Sequence, residues 1–90
     1  MKTIFNTYIE IESQQQADRL KQVCIDNGLP YWNDEVGFYF MKGCVFAFNK
    51  NPIVQQFYCL KSGFIIREFT DGNTQVTETE WLQLLKEYKS

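Results

Sequence analysis

Residues 36–69 restrict the fold more than any other part of the sequence, because nearly all of this segment has the pattern of β-strands and turns. Aromatic and β-branched residues are frequent in it, and glycine, proline or asparagine interrupts them. Successive side chains of a strand point to opposite faces of a sheet. Phe38 and Phe40 therefore share one face, and Tyr39 and Met41 share the other. We expect a sheet with two largely apolar faces.

Turn residues divide the chain into several extended segments. Lys42-Gly43 separates two of them, which form either one long strand bent at the glycine or a hairpin. We favour the bent strand, because Lys-Gly is a weak two-residue hairpin turn. Asn49-Lys50-Asn51-Pro52 is a clear turn. The predicted strands are 3–11, 36–41, 44–49, 53–60 and 64–69, with a further short strand at 75–76.

The segment after the first strand has both the start and the stop signals of a helix. Ser13 is a good N-cap residue, and Gln16 can complete a capping box with it. Asn27-Gly28 allows a left-handed C-terminus that Leu29 closes by packing back. Between these signals, apolar residues recur at helical spacing: Ala17, Leu20 and Cys24.

A second helix is predicted over 78–89. Thr77 and Glu80 have the spacing of a capping box, and a helical apolar stripe follows. The stripe comprises Trp81, Leu84, Leu85 and Tyr88. The element order is then β-α-β-β-β-α. With 90 residues, the sequence predicts a single α+β domain over 1–90, with an antiparallel sheet of three to five strands and two helices packed on one face.

Two helices cover one face of such a sheet, so the other face is the first candidate binding surface. Its residues are Tyr39, Met41 and Tyr58. Three interpretations remain open: the face is solvated, it forms a homodimer or higher oligomer, or it binds a different partner.

A loop and several cations form the second candidate surface. Tyr31-Trp32 follows a helix and precedes a strand, where aromatics either anchor a partner or fold back over the helix–sheet junction. Arg67 either pairs with a surface carboxylate or meets an anionic ligand. Lys42 and Lys61, both at turns, could border the same patch. Aromatics with a few cations suit a small nucleotide ligand.

The composition disfavours several classes of function. The chain has no histidine. This excludes nucleophiles activated by histidine, acid–base catalysis by an imidazole, and metal sites with histidine ligands. Its three cysteines lack the spacing of a zinc site or a disulfide framework, so we expect reduced core thiols. No phosphate-binding glycine loop or nucleophile motif is present. We therefore expect a protein that is not an enzyme and that needs no metal or cofactor.

Charge and hydropathy bear on partners and location. The formal net charge is −2, and the positive residues are scattered, which disfavours nucleic-acid binding. No apolar run approaches the roughly 18 residues of a membrane span. We expect a cytoplasmic protein without membrane association.

Several of these features occur together in one known group. Ile9-Glu10-Ile11 leads into a capped helix over 13–28, Tyr31-Trp32 follows, and residues 77–85 form a closing helix. This plan resembles that of small bacteriophage accessory proteins. The resemblance implies an inhibitor in the host-cell cytoplasm that blocks a host defence protein or sequesters a signalling nucleotide as an oligomer. It assigns no role to a particular residue.

The sequence therefore predicts a non-catalytic, phage-type accessory protein that inhibits a bacterial defence component by binding it through the aromatic face or loop. Nucleotide sequestration is one alternative. A structural or assembly protein and a nucleic-acid-binding module are the others.

Overall fold

A computed structural model describes residues 3–31, 43–50, 52–60 and 70–90, and it shows an α+β fold with a four-stranded mixed sheet. Two helices lie in this part of the chain, as predicted. The elements are β1 (Thr7–Glu10), α1 (Gln14–Asp26), β2 (Val45–Phe48), β3 (Phe57–Leu60), β4 (Thr74–Gln75) and α2 (Glu78–Lys89).

The sheet has the strand order β3-β2-β1-β4. β2 runs antiparallel to both of its neighbours, with Phe46 opposite Ile9 on β1 and opposite Cys59 on β3. β4 pairs with β1 in parallel, with Thr74 beside Thr7. The prediction of an entirely antiparallel sheet is therefore wrong. Because β2 already occupies one edge of β1, the chain crosses to the other edge after β3 and returns there in the direction of β1.

β1, β2 and β3 are shorter than predicted, and β4 is shifted by one residue. β1 begins at Thr7 rather than at residue 3, because Asn6 has a φ of 61° in a turn and breaks the extended backbone. β3 begins at Phe57 rather than at residue 53, and β4 covers 74–75 rather than 75–76. Gly43 lies in a turn with a φ of 92°. The predicted strands 36–41 and 64–69 lie outside the described residues, so the choice between a bent strand and a hairpin stays open.

α1 has the predicted ends, with one difference. The Ser13 hydroxyl accepts the Gln16 amide at 3.1 Å, as an N-cap does. The Gln16 side chain accepts the amide of Glu12 at 2.7 Å instead of that of Ser13, so the predicted capping box is wrong by one residue. At the other end Gly28 has a φ of 65°, and the Leu29 amide donates to the Cys24 carbonyl at 2.9 Å. This closes a Schellman motif.

α2 confirms its prediction in both bounds and cap. The Thr77 amide donates to the Glu80 carboxylate at 3.0 Å, and the Glu80 amide donates to the Thr77 hydroxyl at 3.1 Å. The two bonds form a complete capping box. Glu78 and Glu80 in the first turn also favour the positive end of the helix dipole.

Both helices pack into one hydrophobic core on one side of the sheet, here called the inner face. Phe46 and Phe57 stack in parallel at 5.1 Å between ring centroids, and the Trp81 ring meets them at right angles at 5.4 and 5.6 Å. All three side chains are completely buried. The helices and β1 add further buried residues to this core: Ile9, Ala17, Leu20, Cys24 and Leu85.

The opposite side of the sheet, here called the outer face, is partly covered. The strand register places Tyr8, Ala47 and Tyr58 in one row across it. Ala47 is 0% exposed and Val45 is 6% exposed within the single chain, while the two tyrosines are half-buried. Less apolar surface is therefore open at β2 than the alternation of the sequence alone suggests.

Candidate functional site

Two of the predicted site residues, Tyr31 and Tyr58, lie in the described part of the chain. The other predicted site residues fall outside it: Trp32, Tyr39, Met41, Lys42, Lys61 and Arg67. Their roles in binding stay predictions.

Tyr31 is a half-buried residue at the junction of α1 and β3. It forms a parallel β-bridge with Phe57, whose amide donates to the Pro30 carbonyl at 2.8 Å. The Tyr31 hydroxyl hydrogen-bonds the thiol of Cys59, and its ring packs against the core. The Lys21 ammonium lies 6.0 Å from the ring centroid. These contacts hold Tyr31 in place as part of the helix–sheet junction.

Tyr58 and Cys59, the hydrogen-bond partner of Tyr31, point to opposite faces of β3. Cys59 packs against the core on the inner face, and neighbouring residues of a strand alternate between faces. Tyr58 therefore points to the outer face, where its hydroxyl accepts a hydrogen bond from the Gln56 side chain. The structure does not bring the two tyrosines together on one surface.

The thiols near Tyr31, those of Cys24 and Cys59, have low nucleophilicity. Burial raises the pKa of Cys24 to about 12. Burial also raises the pKa of Cys59 to about 12, although the hydrogen bond from Tyr31 opposes the shift. Because the thiolate is the reactive form, both side chains are poor nucleophiles at neutral pH. Burial likewise raises the pKa of Tyr31, so its hydroxyl remains a neutral donor.

A groove lies between β4 and α2 in the described part of the chain. Its volume is about 740 Å³. One wall is a single face of α2, and the other consists of β4 and the turn before β1. The lining residues are Thr3, Phe5, Asn6, Thr7, Gly72, Thr74, Gln75, Val76, Thr79, Glu80, Gln83, Leu84 and Glu87.

The groove has an apolar floor that joins the core. Phe5, Val76 and Leu84 are half-buried and pack against the core cluster. The Phe5 ring lies 4.7 Å from that of Phe48 and 5.4 Å from that of Tyr88, between centroids. An apolar floor with a polar rim is typical of a ligand or partner site.

The left-handed turn before β1 shapes one end of the groove. Asn6, with its positive φ, presents its carbonyl to the Thr74 amide at 3.0 Å. This bond starts the pairing of β4 with β1. Asparagine tolerates the left-handed conformation better than most residues. The turn therefore directs Phe5 toward the core while its backbone holds β4.

The charge of the groove is negative. Glu80 and Glu87 line it, and its described lining contains no lysine or arginine. Lys50 lies at one end, where its ammonium donates to the Asp71 carbonyl beside Gly72. The groove therefore suits a cationic ligand better than a phosphate.

Among the described strands, β4 lies at one edge of the sheet, beside the groove. The Thr74 amide donates to the carbonyl of Asn6, just before β1, at 3.0 Å, and the Val76 amide donates to that of Tyr8 on β1 at 2.9 Å. Because the backbone alternates along a strand, the N–H and C=O groups of Gln75 point away from β1. No strand in the described part of the sheet pairs with that side. Gln75 is solvent-exposed.

Sequence reasoning missed this site because its two walls are distant in the chain. Residues 3–7 and 72–87 meet only after β4 has found the free edge of β1. One local signal was present. On α2 the positions 79, 83 and 87 recur at helical spacing beside the apolar stripe, and they carry polar side chains suited to a groove rim.

No family model, curated protein sequence or solved structure shows a significant match to this chain. Among the described residues, neither helix is long and apolar enough to cross a bilayer. Within the same residues, no three cysteine or carboxylate side chains converge as metal ligands.

Proposed function

We propose that this chain is a non-catalytic binding protein that inhibits a bacterial defence component by covering part of its surface. The groove between β4 and α2 carries this proposal, since it combines an apolar floor with an open backbone edge. The resemblance of the sequence plan to phage accessory proteins supports the class of partner and the host-cell cytoplasm as its location. The high thiol pKa values of Cys24 and Cys59 support a role without covalent chemistry.

The charge of the groove favours a protein partner over a nucleotide. A nucleotide phosphate would meet Glu80 and Glu87 at close range and would find no cation in the described lining. Sequestration of a nucleotide would need cations such as the predicted Arg67, Lys42 or Lys61. Those positions lie outside the described residues.

Affinity capture with matched variants tests the proposal. Gln83→Trp fills the groove from an exposed position of α2, whereas Leu82→Trp places the same side chain on the neighbouring exposed position outside the groove. Lysate from defence-competent bacteria is passed over each immobilised protein, and mass spectrometry identifies bound proteins and nucleotides. We expect the wild type and Leu82→Trp to retain one protein at stoichiometric level and Gln83→Trp to lose it.

Two results would contradict the proposal. Equal retention of the partner by Gln83→Trp would show that the groove is not the contact. A bound nucleotide without a protein would favour sequestration instead.

A further inference from the structure

We infer that the groove binds an extended, basic segment of a partner protein, which adds to β4 as a fifth strand. The inference rests on the proposed function, because it names the chemistry of the partner at the same groove. It goes further in stating the conformation and the charge of the segment.

The open edge of β4 determines the conformation. The outward N–H and C=O groups of Gln75 match the spacing of one hydrogen-bonded pair with an extended chain. Strand addition to a free sheet edge is a common mode of peptide recognition, in which backbone bonds give affinity and side-chain pockets give specificity. One pair of bonds is a small contribution, so most of the affinity must come from the groove.

The groove lies where the side chains of an added strand would reach. α2 packs over the inner face, while its polar face borders the groove beside β4. Every second side chain of an added strand would point to the inner face and enter the space above Phe5, Val76 and Leu84. The half-buried floor offers apolar contact to these side chains.

Charge complementarity selects a basic segment. Glu87 is an exposed residue on the rim. Glu80, seven positions earlier on the same face of α2, adds a second carboxylate, which also accepts the Thr77 amide. A lysine or arginine on the added strand would meet these carboxylates. A second copy of this chain would bring the same carboxylates and a net charge of −2 to the same edge, which disfavours self-pairing there.

Two fluorescein-labelled peptides test the inference. One is a ten-residue peptide with alternating valine and lysine, and the other replaces each lysine by glutamate. Fluorescence anisotropy measures binding at low salt. We expect the lysine peptide to bind and the glutamate peptide not to bind. Peptide binding should also slow hydrogen exchange of the Gln75 amide, since that amide becomes hydrogen-bonded.

Matched variants test the edge and the charge separately. Gln75→Pro removes the outward amide and leaves the backbone bonds between β4 and β1, while Gln75→Thr keeps the amide. Both variants lose the side-chain bond that Gln75 accepts from the Tyr8 hydroxyl on β1. We expect Gln75→Pro to weaken binding roughly tenfold or more relative to Gln75→Thr. Glu87→Lys should weaken it about threefold to tenfold, whereas Glu12→Lys, an equal change of net charge at an exposed residue outside the groove, should not.

Several outcomes would overturn strand addition. These are equal binding of both peptides, no binding of either, an affinity that Gln75→Pro leaves unchanged, or a wild-type Gln75 amide that peptide binding does not protect from exchange. A dimer of the wild type that Gln75→Pro converts to a monomer in sedimentation would make a second copy the occupant. The capture experiment with Gln83→Trp is independent, so the proposed function can survive the failure of this inference, and peptide binding can survive the failure of capture.

Discussion

The Arg19 guanidinium on α1 donates two hydrogen bonds, at 2.9 and 3.1 Å, to the Glu78 carboxylate in the first turn of α2. The pair joins the two helices through residues that are 59 positions apart in sequence. The Glu78 side chain is 22% exposed and that of Arg19 is 56% exposed. The bond therefore lies at the surface, where it orients α2 against α1 more than it stabilises the fold.

We predict that this pair makes stability depend on pH in the acid range. The hydrogen bond from Arg19 lowers the pKa of Glu78 below its usual value. A carboxylate with a lowered folded pKa stabilises the protein above its unfolded pKa, about 4.3, and the stabilisation is lost as the pH falls through the folded pKa. Urea midpoints of the wild type and Glu78→Gln should differ slightly at pH 7 and converge in acid. A difference that is constant with pH would contradict this assignment.

Trp81 should be the most sensitive position of the core. Its ring is completely buried against Phe46 and Phe57, so Trp81→Ala should cost about 3–5 kcal/mol in the free energy of unfolding. Its indole N–H is buried and has no hydrogen-bond partner among the described residues. Trp81→Phe removes that unpaired donor and should cost clearly less than Trp81→Ala. Urea unfolding followed by circular dichroism measures both, and equal losses would show that the ring volume kept by phenylalanine does not stabilise the core.

The left-handed turn at Asn6 predicts an unusual order of stability for its substitutions. Asn6→Ala should destabilise the fold by about 1 kcal/mol, because alanine resists a φ of 61°. Asn6→Gly should be close to neutral, since glycine adopts that φ without strain. Thermal unfolding would therefore rank glycine above alanine at this exposed position. The opposite rank would mean that the turn rearranges.

The environment of Cys59 predicts slow thiol chemistry that depends on Tyr31. At pH 8, Cys24 and Cys59 should react with iodoacetamide slowly in the native protein and rapidly in urea, since burial raises both pKa values to about 12. Tyr31→Phe removes the hydrogen bond that opposes this shift, so Cys59 should react more slowly still. Peptide mapping by mass spectrometry identifies the labelled cysteine. Faster labelling of Cys59 in Tyr31→Phe would show that Tyr31 shields the thiol more than it stabilises the thiolate.

α2 could be predicted from sequence because its signals are local. Its capping box spans four residues, Thr77 to Glu80, and its apolar stripe lies within three turns. The C-terminus of α1 was equally readable from Gly28 and Leu29. Such elements specify their own backbone through bonds between near neighbours.

The pairing of β4 could not be predicted in the same way. β4 has only two residues, Thr74 and Gln75, which is too few for an alternation of apolar and polar residues to be recognised. It pairs with the edge of β1 that β2 does not occupy. The groove depends on that pairing, so it was missed as well. The sequence also could not predict that Tyr31 and Tyr58 lie on different surfaces. Tyr31 lies outside any regular strand, and its isolated β-bridge with Phe57 sets the orientation of its side chain.

The position of β1 between β2 and β4 bears on how the protein is made. While the chain leaves the ribosome, β1 can pair with β2, but its second edge stays open until residues 74–75 have been synthesised. An open edge is the part of a sheet most prone to wrong pairing, and contacts between distant segments form slowly. α2 follows β4 in the chain, so the groove forms only after the residues of both elements have been synthesised. A partner that binds it would recognise only molecules whose translation has passed α2.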